Sequence, residues 1–253
     1  MGYLEACRIR RSLSLANDQL HHKRKAISAD SLRRRVVNRA PEKRILIVCE
    51  GEETERRYFE ALIASMDIPS VDVDICDECD SAPKSVVAFA EKKAREEGPA
   101  TSGGYSRVFC VIDRDTHETF DAAISKIFDL NKSSKFPSEI YSIVSNPCFE
   151  FWFILHFGYC RAPFSASSNK TIAENVVSQL QKITGFEGYE KAVSTEHIRS
   201  LIRLTEVAVG NAKKCIDDVN VTNEPNPSTR VFEIVEYLRG LKADSEKEMA
   251  KSK

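Results

Sequence analysis

Short apolar runs that end abruptly in charge mark the first half of the chain. Residues 45–49 read ILIVC and are followed by Glu50, and residues 108–112 read VFCVI and are followed by Asp113. Uninterrupted apolar runs of this length are typical of strands buried on both faces of a parallel sheet. Each of these two strands is therefore predicted to end at a carboxylate.

Helical periodicity separates these strands and two others. The pattern predicts further strands at 71–76, where apolar and acidic residues alternate, and at 140–144. Amphipathic segments predict intervening helices at 53–66, 84–97 and 118–130. Strands that alternate with helices favour βαβ units, so we expect an α/β fold with a mostly parallel sheet.

After residue 144 the pattern is helical, with helices predicted at 147–156, 170–184, 195–215 and 228–240. Asn146-Pro147 and Asn226-Pro227 each resemble a helix start, since Asn is a good N-cap and Pro suits the first helical position. The predicted organisation is a basic arm (1–43), an α/β core (44–160), a helical region packed on that core (161–242) and a charged, frayed tail (243–253).

Carboxylates follow two of the predicted strands, Glu50 after the first and Asp113 and Asp115 after the third. Ligands of open α/β sheets bind at the carboxyl ends of the strands, and Mg²⁺ prefers oxygen ligands. We therefore expect Glu50, Asp113 and Asp115 to bind Mg²⁺ or Mn²⁺. Glu150 lies within the very apolar run FEFWFILHF, where an unpaired carboxylate is costly. It is predicted to complete the catalytic set.

The Glu-Gly pair at residues 50–51 and the Asp-x-Asp pair at 113–115 together resemble the toprim fold. Two further motifs, SNPCFEFWFILH at 145–156 and NPSTR at 226–230, make the whole set similar to the RloB-like family of prokaryotic defence-associated proteins. The resemblance implies a toprim-type, metal-dependent nuclease that cleaves DNA or RNA. It also implies a role in anti-phage defence, with a phage signal or partner protein as trigger.

Charge is distributed unevenly along the chain. Residues 1–44 contain twelve Lys and Arg against four Asp and Glu, whereas the whole chain has a net charge of −1. A basic arm on an acidic body suits contact with a nucleic acid backbone, and Arg33, Arg34 and Arg35 form one of its basic clusters. Arg230, beside the second Asn-Pro pair, is predicted to donate hydrogen bonds to a phosphate group. Such contacts do not distinguish DNA from RNA.

The eight cysteines lack the character of a secreted disulfide framework, and neither a signal peptide nor an apolar run of membrane-spanning length is visible. We therefore expect a cytoplasmic protein that is not membrane-bound, with reduced thiols. Cys76 and Cys79 have the spacing of half a zinc site, but no second pair stands at suitable spacing.

Two other functions remain open. Asp113 and Asp115 resemble the acidic pair of haloacid-dehalogenase phosphatases, with Asp217-Asp218 as a distant partner, although His117 stands where that motif has Thr or Val. A toprim-like module that binds nucleic acid or a partner without cutting is the second alternative. His156 lies about 120° around the predicted helix from Glu150, so an ordinary core histidine is favoured over a metal ligand.

Overall fold

A computed structural model describes residues 44–51, 53–68, 71–75, 82–114, 118–190 and 192–251 of the 253-residue chain. Several predicted features lie outside the described residues: the basic arm with Arg33, Arg34 and Arg35, the second acidic residue Asp115, and the pair Cys76 and Cys79. Within the described part, no helix has both the length and the apolar character needed to cross a membrane.

Five strands of the described chain form one sheet in the spatial order β2-β1-β3-β4-β5. They are β1 (Arg44–Cys49), β2 (Val71–Ile75), β3 (Tyr105–Asp113), β4 (Glu139–Asn146) and β5 (Ser228–Thr229). The first four are parallel, and β5 pairs antiparallel with β4. The prediction of an α/β fold with a mostly parallel sheet is confirmed. The likeness to the toprim fold stays a prediction.

Helices cover both faces of this sheet. They are α1 (Thr54–Met66), α2 (Pro83–Glu97), α3 (Phe120–Lys132), α4 (Glu150–Leu155), α5 (Ile172–Leu180), α6 (Thr195–Arg203), α7 (Thr205–Thr222) and α8 (Val231–Lys251). One face, here called the broad face, packs against α1 and α4 to α8 through residues such as Ile47 and Val111. The opposite, narrow face packs against α2 and α3 through residues such as Val48 and Cys110.

The order of the strands creates a topological switch point between β1 and β3. The chain adds β2 on one side of β1 and then β3 on the other, so α1 and α2 cover opposite faces. Right-handed crossovers require this arrangement. Open α/β sheets bind ligands in the crevice beyond the carboxyl ends of the strands that flank such a point. In this protein those strands end at Cys49 and Asp113.

An aromatic cluster fixes α1 against α4 on the broad face. The ring of Tyr58 in α1 lies 6.0 Å from that of Phe149, 6.3 Å from that of Trp152 and 5.6 Å from that of Phe153. All four side chains are almost completely buried, and each such burial stabilises the fold by roughly 1.5–3 kcal/mol. The cluster therefore holds two helices whose first residues lie next to the switch point.

The prediction that both Asn-Pro pairs start helices is wrong. Asn146 is the last residue of β4 and pairs with Ser228, so its backbone is extended and α4 begins only at Glu150. Because Ser228 and Thr229 form β5, α8 begins at Val231. Sheet pairing has overridden local helix-start chemistry at both places, and both Asn-Pro peptide bonds are cis.

Other helix boundaries also differ from the prediction. The helix expected at 195–215 is divided at Leu204, which has the non-helical angles φ −104° and ψ 9°. The hydroxyl of Thr205 donates to the carbonyl groups of Leu201 and Ile202 and so satisfies the end of α6. At the other end of this region, α8 continues to Lys251 where the sequence predicted a frayed tail.

Gly104 is expected to be essential for the turn that leads from α2 into β3. A Cβ atom at this position would lie 2.0 Å from the carbonyl oxygen of Gly98, and backbone cannot move aside cheaply. Gly104→Ala should therefore destabilise the fold by about 1–3 kcal/mol, measured as a lower midpoint of urea unfolding. Gly158→Ala is the control, because a Cβ there meets no atom within 4 Å. Equal midpoints for the two variants would contradict this account of the turn.

Candidate active site

Acidic side chains gather at the carboxyl ends of β1 and β3. Glu50 directly follows β1, and Asp113 ends β3 on the side of the broad face. The backbone amide of Asp113 donates to Oε2 of Glu50 at 3.5 Å, the long end of the range for such bonds. The residues predicted from the two strand ends thus lie together in the structure.

Gly51 makes room for a further carboxylate, that of Glu55 in the first turn of α1. A Cβ atom on residue 51 would lie 2.1 Å from Oε2 of Glu55, so any larger residue would displace this carboxylate. Glu55 is only 8% exposed. The short, glycine-containing connection from β1 to α1 therefore holds two glutamates close to Asp113.

The environment of Asp113 disfavours ionisation of its carboxyl group. Burial raises the pKa of its carboxyl group well above the usual value, and the negative charges of Glu55, Glu150 and Glu50 raise it further. The backbone amide of Phe149 donates to Asp113 and opposes this effect. Like charges held this close repel one another unless a cation lies between them. The cluster is thus electrostatically suited to a cation.

Glu150 joins the cluster from the start of α4 and is only 5% exposed. The hydroxyl of Tyr189 donates to Oε1 of Glu150 at 3.4 Å and lies 3.3 Å from Oγ1 of Thr54. Burial, and then the charge of Glu150, raise the pKa of Tyr189, so this phenol stays protonated and remains a donor. Thr54 is the first residue of α1 and is almost completely buried. The tyrosine thus links the starts of α1 and α4.

The chemistry of these donors fits a hard divalent cation, since all four are carboxylates. Among the residues that the structure describes, no group of three His, Cys, Asp or Glu side chains has the arrangement of a metal site. Asp115, the third predicted ligand, lies outside those residues. The described carboxylates therefore supply the charge and the oxygen atoms for a cation, without the closed geometry of a ligand shell.

Burial holds two neighbouring groups in their uncharged forms. Burial, followed by the charges of Glu150 and Asp113, raises the pKa of the Cys148 thiol, so it is not a thiolate. Burial lowers the pKa of His156 to about 4. Its Nδ1 donates to the carbonyl of Trp152, which leaves Nε2 to accept from Tyr58. His156 is a core histidine, as predicted.

The second Asn-Pro motif has structural partners. The Asn226 side chain accepts from the amide of Phe164 and donates to its carbonyl, which pins the loop after α4. The guanidinium of Arg230 forms an ion pair with Glu233 at 2.6 Å, and its backbone amide donates to Val144. The structure thus corrects the position of the predicted helix start, because a strand takes the place of its first residues. The role of Arg230 in binding phosphate stays a prediction.

Sequence reasoning missed Tyr189 and left Glu55 out of the predicted catalytic set. Tyr189 lies in an irregular segment between α5 and α6, where no periodicity or motif points to it. The position of Glu55, four residues after Gly51, pointed to the site. A carboxylate in the first turn of a helix is, however, also explained by the helix dipole. The acidic pair of the phosphatase alternative, Asp217-Asp218, lies within α7, and Tyr159 donates to Asp218.

Replacement of Asp113 by Asn should stabilise the protein in the absence of divalent cations. Because the pKa of Asp113 is higher in the folded than in the unfolded chain, the unfolded chain loses this proton first as the pH rises. Wild-type stability therefore falls from about pH 4 upward relative to the variant. We expect Asp113→Asn to melt a few degrees higher at pH 7.5 in EDTA, with a smaller difference at pH 4.5. Asp129→Asn, at an exposed position on α3, should show no such pH-dependent gain; a gain equal to that of Asp113→Asn would refute the explanation.

Tyr189→Phe tests the link between the starts of α1 and α4. The variant keeps the buried ring but leaves Glu150 and Thr54 without the phenol, so we expect a loss of about 0.5–1.5 kcal/mol in urea unfolding. Tyr159→Phe is the matched control, because its hydroxyl bonds an exposed carboxylate on α7 and should contribute less. A smaller loss for Tyr189→Phe than for Tyr159→Phe would show that the link does not stabilise the fold.

Comparison with known proteins supports the resemblance seen in the motifs. No curated protein and no solved structure matches the chain. A family model described as RloB-like protein matches residues 45–238, which extend from β1 into α8 and include Glu50, Asp113 and Glu150. Since this match covers most of the chain, the protein belongs to the RloB-like family.

Proposed function

We propose that this protein is a metal-dependent nuclease that hydrolyses phosphodiester bonds of DNA or RNA. The observation that carries the proposal is the convergence of Glu50, Glu55, Asp113 and Glu150 at the switch point, where burial, and then the charges of the other three carboxylates, raise the pKa of Asp113. Such a cluster is costly to the fold, and perturbed carboxyl groups of this kind concentrate at functional sites. The family resemblance supplies the expectation of a toprim-like core and a role in anti-phage defence.

Glu50 and Asp113, together with Asp115, would hold Mg²⁺ or Mn²⁺, and Glu150 would complete the set. Bound there, the ion would polarise the scissile phosphate and lower the pKa of an attacking water. Hydrogen bonds within the protein fix the positions of the carboxylates that would hold the ion. The amide of Phe149 orients Asp113, and Tyr189 orients Glu150, so both carboxylates are held before a substrate arrives.

The nucleic acid would be held by positive charge from outside the acidic body. The eleven Lys and Arg of residues 1–43, including Arg33, Arg34 and Arg35, would supply that charge. Contact with the phosphate backbone would bind a strand without reading its sequence. We assign the activity to the cytoplasm and leave its trigger, a phage signal or partner protein, as part of the proposal.

The direct test is cleavage of labelled single-stranded DNA, duplex DNA and total tRNA in Mg²⁺ or Mn²⁺. The double variant Glu50→Ala plus Asp113→Ala should lose more than about 100-fold in rate, because the loss of an outer partner of a metal ligand alone costs 10–100-fold. Glu196→Ala plus Asp129→Ala removes the same two residue types at exposed positions in α6 and α3 and should retain cleavage. Mn²⁺ should raise the melting temperature of the wild type and not that of the first variant.

Other outcomes separate the alternatives. Binding of nucleic acid without cleavage, with or without either metal, would favour a non-catalytic binding module. Turnover of a small phosphomonoester without cleavage of any nucleic acid would favour the phosphatase. Cleavage that survives in the first double variant would show that the reaction takes place elsewhere on the chain.

A further inference from the structure

Arg114 occupies the rim of the candidate site. It directly follows Asp113, and its backbone amide donates to the carbonyl of Ser145 at 2.7 Å, so the ladder between β3 and β4 continues through it. Side chains of successive residues in extended chain point to opposite faces. The side chain of Arg114 therefore lies on the side of the narrow face, whereas Asp113 lies on the side of the broad face. The Arg114 side chain is exposed.

An aromatic contact holds this side chain in place. The guanidinium carbon of Arg114 lies 5.3 Å from the centre of the Phe120 ring at the start of α3. Within the described part of the chain, its guanidinium has no carboxylate partner. Arg95 makes a similar contact, 5.6 Å from the ring of Phe136, but also donates to Glu91. Arg114 thus has the same aromatic support, and among the described residues no carboxylate takes up its donors.

A guanidinium that is stacked on a ring loses less conformational freedom when it binds, and its planar fork matches a phosphate group. The site beside it is a cluster of carboxylates, so an anionic substrate needs a compensating cation at this edge. Arg114 directly follows Asp113, so its guanidinium is a cation at the same strand end as the carboxylates. A strand whose scissile phosphate lies at the carboxylates would bring a neighbouring phosphate to this side chain.

We propose that Arg114 binds the phosphate adjacent to the scissile phosphate and so anchors the nucleic acid strand across the end of β3. The proposal rests on the proposed nuclease function and adds a substrate contact to it. The ligand is a phosphodiester backbone, which is the same for every base sequence. Loss of the contact should therefore weaken binding equally for all base sequences.

The experiment measures binding in the Asp113→Asn background, where cleavage is suppressed, with Mg²⁺ present. Labelled single-stranded RNA, single-stranded DNA and duplex DNA are each titrated at several salt concentrations. Addition of Arg114→Ala should weaken binding of the preferred nucleic acid. It should also reduce the slope of log K against log salt by about 0.7 for a single strand or 0.9 for a duplex, the value of one phosphate contact. Arg114→Lys should keep the slope while losing part of the affinity.

Arg95→Ala is the matched control in the same background. It removes an arginine that also stacks on a phenylalanine, but near the end of α2, at the opposite edge of the sheet. Affinity and salt slope should stay unchanged. Equal losses for Arg95→Ala and Arg114→Ala would overturn the proposal, because they would reflect overall charge.

Two outcomes distinguish this inference from the nuclease assignment. Unchanged affinity and slope in Arg114→Ala, together with metal-dependent cleavage by the wild type, would overturn the role of Arg114 and leave the nuclease standing. A reduced slope in Arg114→Ala, in a protein that cleaves nothing, would keep the phosphate contact and assign it to a binding module. Absence of binding to all three nucleic acids would overturn both. The melting temperature of Arg114→Ala confirms that each comparison uses folded protein.

Discussion

The parallel pairing of β1 with β3 is the constraint on which the rest of the molecule depends. Its register places Cys49 opposite Val111, so the strand ends leave the sheet together and bring Glu50 to the amide of Asp113. The same pairing, with β2 on the other side, makes β1 an interior strand of the sheet, and its residues from Ile45 to Cys49 are completely buried. Because β2 and β3 are added on opposite sides of β1, helices must cover both faces. The crevice at the sheet edge follows from that topology.

The carboxylates in this crevice oppose folding, and the surrounding structure compensates for them. The core of α4 and α1 is almost entirely aromatic and aliphatic, and it holds the acidic residues at its edge instead of letting them separate. Two donors, the amide of Phe149 and the hydroxyl of Tyr189, partly satisfy the charges. A fold shaped only by stability would have placed neutral side chains at these positions. The cluster is therefore the basis of the proposed cation site.

Much of this architecture was predictable from the sequence, because the strongest patterns agree with the final packing. The runs at 45–49 and 108–112 predicted the central strands, and the carboxylates that follow them predicted the position of the site. Prediction failed where long-range pairing competed with local preference. Asn146 and Asn226 have good helix-start chemistry, yet pairing of β4 with β5 keeps the chain near both of them from starting a helix there. Tyr189 reaches the site from an irregular segment through tertiary packing alone, and no local pattern encodes such a contact.

The chain order of these residues has a consequence for the birth of the protein on the ribosome. Glu50 and Asp113 are synthesised early, but Glu150 comes later and the phenol of Tyr189 later still. The broad face that supports them closes only when α8 contributes Val231, Ile234 and Leu238. A growing chain therefore carries its acidic strand ends before the parts that hold them in place have been made. The crevice can reach its folded geometry only after the segment that contains Val231, Ile234 and Leu238 has left the ribosome.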